Sequence, residues 1–222
     1  MPTQLRLPLD LAPSHARSDF VVSQANREAV TMLDAWPDWP GGRLALIGPP
    51  GAGKSHLLQD WAAATGALDA IASCPGRDLT GERLFVENAD LAPQDLLFHL
   101  LNVAGAQGTT LLLTARTRPA AWPAVIPDLR SRLNALTVAE LGEPDDVLLA
   151  GVLRKLFKDR LIRPAADVIP FLLARMDRSV PAARALVSRI DEAASAAGRD
   201  INRTLVRQFF EKQAESLNLF EP

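Results

Sequence analysis

The chain has 222 residues, 48% of them hydrophobic, and a formal net charge of −2. That length holds one sizeable α/β domain, or such a domain with a smaller helical one, and the near-neutral balance excludes a bulk basic field for holding nucleic acid. No run of about 18 apolar residues is present to span a membrane, no charged-then-apolar leader opens the chain, and one cysteine, Cys74, excludes an internal disulfide and fits a reducing, cytoplasmic compartment.

Gln4-Leu5-Arg6-Leu7-Pro8-Leu9 comes first. Extended, it would show Leu5, Leu7 and Leu9 on one side, and Pro8 suits an edge or a free segment better than a central strand. Two readings stand side by side: an arm folded back on its own domain, or an apolar peptide offered to a partner. Phe20-Val21-Val22 is short and apolar, and Asn26 to Ala35 has helical spacing with Ala29, Val30 and Leu33 on one side. Trp36 to Gly42, rich in Pro and Gly, is a connection.

Gly48-Pro49-Pro50-Gly51-Ala52-Gly53-Lys54-Ser55 follows and fits G-x-x-x-x-G-K-[ST], the phosphate-binding loop. Such a loop must turn backbone N–H groups onto phosphate oxygens, and glycines allow that without an intruding side chain. Lys54 brings a positive charge to the β/γ-phosphates and Ser55 a hydroxyl to Mg²⁺. Leu44-Ala45-Leu46-Ile47 before the loop reads as a buried parallel strand. Leu57, Leu58 and Trp61 after it share a helix face. Strand, glycine loop and helix is the order the motif requires, and the helix N-terminus attracts anions. His56 falls in the first turn of that helix, where packing or capping is expected of it, and no two of His15, His56 and His99 have metal-ligand spacing.

Thr65-Gly66 ends the helix, and Ala67 to Ser73 reads as a short strand. Leu84-Phe85-Val86-Glu87-Asn88 is an apolar strand ending in an acid, the Walker B pattern, in which Glu87 would support Mg²⁺ through water. The next position normally carries a second acid that polarises the attacking water, and here it is Asn88. Phosphoryl transfer depends on positioning both metal and water, so nucleotide binding with poor intrinsic hydrolysis is expected. Asp90 would compensate only if the strand ended later. Asp90 to Ala104 reads as a helix, Thr109 to Thr114 as a strand, and Pro127 to Leu133 as a short helix carrying Arg130-Ser131-Arg132. By spacing alone these arginines are solvated charges or intrachain partners.

Glu143-Pro144 opens an all-helical section, with helices expected over Val147 to Phe157, Val168 to Leu173, Pro181 to Ala196 and Leu205 to Phe210. The expected fold is α/β, a parallel sheet with helices on both faces, followed by a small helical lid. The expected boundaries are 1–19 for the arm, 20–141 for the nucleotide-binding domain and 142–222 for the lid.

P-loop, Walker B, polar strand end, arginine helix and helical tail, in that order, resemble the AAA+ family over nearly the whole chain. Phe20 to Asn26, Gly53-Lys54-Ser55-His56-Leu57, Leu113 to Pro119 and Leu129 to Leu133 resemble the corresponding boxes of the DnaA branch. Within it the likeness narrows to the Hda group, short relatives without the C-terminal DNA-binding domain. This resemblance implies ADP or ATP as cofactor with Mg²⁺. It implies Val22 at the adenine, Pro50, Gly51, Ala52, Gly53, Lys54, Ser55 and His56 around the phosphates, Thr114 as sensor 1 and Arg132 as an arginine finger in trans. Arg184 is the candidate sensor 2 residue, although the aligned position falls near Pro181. Gln4, Leu5, Leu7, Pro8 and Leu9 become a peptide for the DNA polymerase III sliding clamp (β), and Ser216 to Phe220 faintly resembles another. DnaA is the second implied partner, a homo-oligomer is possible, and strong direct DNA binding is not expected. The implied function is negative regulation of replication initiation. An active ATPase of helicase-loader or clamp-loader type is the alternative, and a DNA-binding replication factor a third class.

Overall fold

The computed structural model describes residues 17–73, 78–106 and 108–218, the last six as helical backbone only. The peptide Gln4 to Leu9 and residues 219–222 lie outside it. Five strands form one parallel sheet: β1 (Arg43–Ile47), β2 (Leu68–Asp69), β3 (Arg83–Val86), β4 (Thr110–Ala115) and β5 (Val138–Glu140), in the order β2-β3-β4-β1-β5. The central strands read as nearly continuous apolar runs because helices cover both faces. Strand alternation divides them: Ala45, Ile47, Leu84, Val86, Leu111 and Leu113 join one core cluster, while Leu44, Leu46 and Leu112 join the other. The first cluster packs on α3 (Ala70–Ser73), α4 (Gln94–Val103) and α5 (Pro127–Asn134), the second on α1 (Arg27–Asp34) and α2 (Lys54–Thr65).

Local chemistry explains where the elements depart from the pattern reading. The strand expected over Ala67 to Ser73 is only two residues long, because the Asp69 carboxylate accepts from the Ile71 N–H at 2.9 Å and turns the chain into α3. The helix expected from Asp90 is split. Residues Ala89–Leu91 form a 3-10 turn, Ala92 is extended at φ −73°, ψ 153°, and α4 starts only after Pro93. Proline disfavours the helical region for the residue before it, which sets that break. The pattern reading contained no β5. It is three residues long and pairs with β1 at the sheet edge.

The C-terminal region is helical: α6 (Asp146–Asp159), α7 (Val168–Leu173), α8 (Val180–Ala197) and α9 (Arg203–Asn218). Leu153, Phe157, Val168, Leu172, Val187, Ile190 and Val206 form its own core. Pro144 precedes the N-cap rather than opening the helix: Asp145 caps α6, its carboxylate accepting from the Leu148 N–H at 2.7 Å. Ser179 caps α8 in the same way, and α9 extends well beyond the expected Leu205 to Phe210. No helix among the described residues is long and apolar enough to cross a membrane.

Candidate nucleotide site

The site lies at the carboxyl ends of β1, β3 and β4, where open α/β sheets receive ligands. Leaving β1, the chain needs backbone conformations that side chains resist. Gly51 sits at φ +76° and Gly53 at φ +102°. Both are also hemmed in: a Cβ on Gly51 would meet Pro181 Cδ at 2.4 Å, and one on Gly53 would meet the Phe20 ring at 2.7 Å. The loop is thus fitted between α8 and the segment leading into α1. Pro50 lies at its turn, and buried Ala52 donates its N–H to the Pro49 carbonyl at 3.2 Å. Gly53 is the N-cap of α2 and no side chain among the described residues caps that helix, so the amides of its first turn at Lys54 and Ser55 face the loop as an anion-binding end.

Lys54 Nζ donates to the carbonyls of Gly48 at 2.7 Å and Pro49 at 2.9 Å. Burial, and then the Arg116 guanidinium, hold this ammonium below the usual lysine range, while Asp90 and Glu87 act in the opposite sense. The Ser55 hydroxyl donates to the Glu87 carboxylate just beyond β3. Asn88 follows in the left-handed region at φ 52°, and its N–H donates to Thr114 Oγ1 at 3.3 Å. Thr114 is buried and stands in register with Leu46 of β1. The structure therefore brings Lys54, Ser55, Glu87, Asn88 and Thr114 to one place.

A hydroxyl and a carboxylate in direct contact make a hard oxygen pair that fits Mg²⁺, which keeps several waters and takes one or two protein ligands plus phosphate oxygens. Among the described residues no group of three or more His, Cys, Asp or Glu side chains is arranged to hold a metal by itself.

Phe20-Val21-Val22 lies between the loop and the C-terminal helices. The Phe20 and His56 ring centroids are 5.3 Å apart, Val21 packs against Gly151 of α6, and Val22 is exposed. The turn that follows is tied on both sides. Asn26 accepts from the Ser23 N–H and donates to the Val21 carbonyl, both at 2.9 Å. The Asp145 carboxylate accepts from the Ala25 N–H at 3.3 Å, and the Gly142 N–H donates to the Ala25 carbonyl at 2.8 Å. Backbone hydrogen bonds, chiefly from Leu148, hold the Asp145 carboxyl below its ordinary pKa. Asp145 was not singled out from sequence, and Phe20 and Asn26 were named only as the ends of the entry segment, without a role of their own. The Asp145-to-Leu148 capping pattern was the available signal.

The arginines divide sharply. Arg130 donates to the Ala120 and Trp122 carbonyls, both at 2.7 Å, and Arg118 pairs with Glu140. Arg132 stacks over Phe98 of α4 with its guanidinium carbon 5.6 Å from the ring centroid, and its Nε is buried with no hydrogen-bond partner among the described residues. Arg184 is exposed on α8, three residues beyond the Pro181 that touches the loop.

Solved structures share this architecture. Domain III of the Thermotoga maritima replication initiation protein DnaA superposes with a TM-score of 0.70 at 16% identity, over 91% of this chain and 98% of that one. The fold is that of the DnaA AAA+ domain. Replication initiator DnaA bound to AMPPCP and single-stranded DNA gives 0.65 at 19% identity, over 82% of this chain and 66% of that one. The DnaA-like fold is accompanied by similarity in sequence. Curated DnaA proteins of Synechococcus sp. and Sphingopyxis alaskensis are 26% and 25% identical, over 73% and 93% of this chain. The chain spans about half the length of these relatives, 42% and 51% respectively. No family model matches it.

Proposed function

We propose that the protein is a nucleotide-bound regulator that switches off replication initiation by stimulating hydrolysis of the ATP held by DnaA, as in the Hda group. The observation carrying this reading is the end of β3. Glu87 reaches the P-loop serine, yet the next residue is Asn88, whose amide side chain is a poor base for the attacking water. Such a site keeps its nucleotide, ADP or ATP with Mg²⁺, as a structural ligand. Pro50 to His56 hold the phosphates, Val22 meets the adenine and the Thr114 hydroxyl keeps the Asn88 turn in place. The bound Mg²⁺ would neutralise phosphate charge between Ser55 and, through water, Glu87.

The catalytic contribution passes to the neighbour. Arg130 is committed to carbonyls of its own chain, which leaves Arg132 as the finger presented to DnaA. A trans arginine of this kind is worth about 10³–10⁵ in rate. Gln4, Leu5, Leu7, Pro8 and Leu9 would anchor the protein to the sliding clamp, bringing it to DnaA on DNA. Residues 142–222 would act as the lid over the nucleotide.

One observation favours an active loader-type ATPase instead: Asp90 Oδ1 is buried with no hydrogen-bond partner among the described residues, a carboxylate near Lys54 that could replace the missing acid. Phosphate release from ATP bound to the isolated protein separates the two readings. The regulator releases almost none, and Asn88→Glu increases it. Steady turnover that is lost in Asp90→Asn, with Arg132→Ala unaffected, establishes the ATPase and overturns the regulator.

A further inference from the structure

We infer that the helical region carries a second anion site, a pocket for the phosphate group of a small molecule, formed by Arg175, Arg203 and Arg207 between α7 and α9.

The pocket has a volume of about 330 Å³ and is lined by Phe171, Arg175, Arg203, Arg207, Phe210 and Glu211. None of these residues belongs to the loop, strands or helices that build the nucleotide site. Its wall is continuous with the core of the helical region: Phe171 is buried in that core, and Phe210 meets it edge to face with ring centroids 6.3 Å apart. The arginines come from two elements. Arg175 directly follows the C-cap of α7, Arg203 opens α9, and Arg207 lies one turn later on the same face.

Two of these arginines share one ring. The Arg175 guanidinium carbon is 3.8 Å from the Phe171 centroid and that of Arg203 is 5.3 Å from it. Stacking on an aromatic face fixes a guanidinium without using its fork of N–H donors. Among the described residues Arg175 makes no ion pair, and its one hydrogen bond is a 3.4 Å contact to the Phe171 carbonyl. Arg203 reaches Asp167 only at 3.9 Å. Arg207 pairs through Nε with Glu211 at 2.8 Å, an exposed pair one helical turn apart of the kind that contributes little. Three like charges are therefore gathered around one pocket, with Asp167 and Glu211 as the neighbouring acids.

That chemistry selects the ligand. Three guanidinium forks offer more donors than the two oxygens of a carboxylate can accept, whereas a phosphate group presents oxygens on several sides. The volume falls in the range of small-ligand sites, about 300–1,000 Å³. A polyanion running on past the arginines would meet Asp167 beside Arg203 and Glu211 beside Arg207. The Phe210 ring offers an apolar surface to the group that carries the phosphate.

The test is a titration of the ¹⁵N-labelled full chain with phenyl phosphate, benzoate and sodium chloride, with and without saturating Mg-ADP, followed by the arginine Nε–Hε cross-peaks. Arg175→Gln, Arg203→Gln and Arg207→Gln assign the peaks, and thermal melting checks that each variant is folded. Phenyl phosphate should move all three cross-peaks saturably, equally well with Mg-ADP present, and at least about tenfold more tightly than benzoate, the range of one charge-assisted hydrogen bond. Arg175→Gln and Arg203→Gln should each weaken it about tenfold or more, while Arg154→Gln, which removes an exposed cation of α6, should stay within about twofold. A shift that never saturates and matches that of sodium chloride overturns the inference. So does competition by Mg-ADP, which would place the phosphate in the P-loop, or wild-type affinity in both Arg175→Gln and Arg203→Gln. Benzoate binding as tightly as phenyl phosphate, or a short oligothymidylate moving the same peaks more tightly than either, overturns the assignment to a small phosphate ligand.

Discussion

Arg130 and Arg132 are two residues apart, and the sequence offers no physical reason to treat them differently. Their surroundings do. Arg130 closes two carbonyl groups of the 119–122 turn, and deleting it leaves both acceptors short of a partner. Arg130→Ala should therefore cost about 1–3 kcal/mol, visible as a lower chemical-denaturation midpoint. Arg132 carries a buried Nε with no hydrogen-bond partner among the described residues, on a ring face, so Arg132→Ala should change stability by no more than about 0.5–1 kcal/mol. Asp145 works at the same scale. Its carboxylate caps α6 and receives the Ala25 N–H, so its folded pKa lies below the 3.8 of the free group. A depressed acid stabilises the fold above its unfolded value and loses that contribution as pH falls through the folded value. Asp145→Asn keeps a capping oxygen without the charge, so the wild-type and Asn melting temperatures should converge as pH drops below about 4. Asp145→Ala should cost about 1 kcal/mol at neutral pH.

Among the elements, the parts of the site that are short-range in sequence were legible. The P-loop, the strand before it and the helix after it follow from glycine chemistry and apolar spacing, and α2 ends at Gly66 as expected, in a left-handed cap at φ 71°. What the pattern could not show is what encloses the loop. Pro181 and Phe20 are more than a hundred and about thirty residues from it, and their contacts with Gly51 and Gly53 exist only after folding. Those contacts make a prediction. Gly51→Ala meets both a left-handed φ and the Pro181 ring, and should cost about 1–3 kcal/mol with weakened nucleotide binding by equilibrium titration. Gly66→Ala has the φ penalty without the contact, since nothing lies within 4 Å of its added Cβ, and should leave nucleotide affinity unchanged. The missed β5 has a plain cause as well: three residues at a sheet edge carry too little periodicity to stand out from a loop. The short β2 was overextended because one Asp side chain, hydrogen-bonded to the backbone two residues on, diverts the chain.

At the scale of the whole molecule, the sheet and the helical region meet along one seam. It is formed by Phe20, Val21, Ala25, Gly142, Asp145 and Gly151, with Pro181 resting on the loop. A nucleotide seated there would touch both sides of the seam and tie them together. ADP at a hundredfold excess over its dissociation constant should thus raise stability by about 2.7 kcal/mol, and Lys54→Ala should abolish that increment in a thermal-shift titration. The central claim is that this bound nucleotide is kept while another protein's ATP is hydrolysed. Single-turnover hydrolysis of labelled ATP pre-bound to DnaA, with this protein, ADP and DNA-loaded sliding clamp added, tests it most directly. Acceleration that is lost in Arg132→Ala and in Gln4→Ala is the predicted result. An unchanged rate with folded wild-type protein and clamp present, or acceleration that persists in Arg132→Ala, would contradict it.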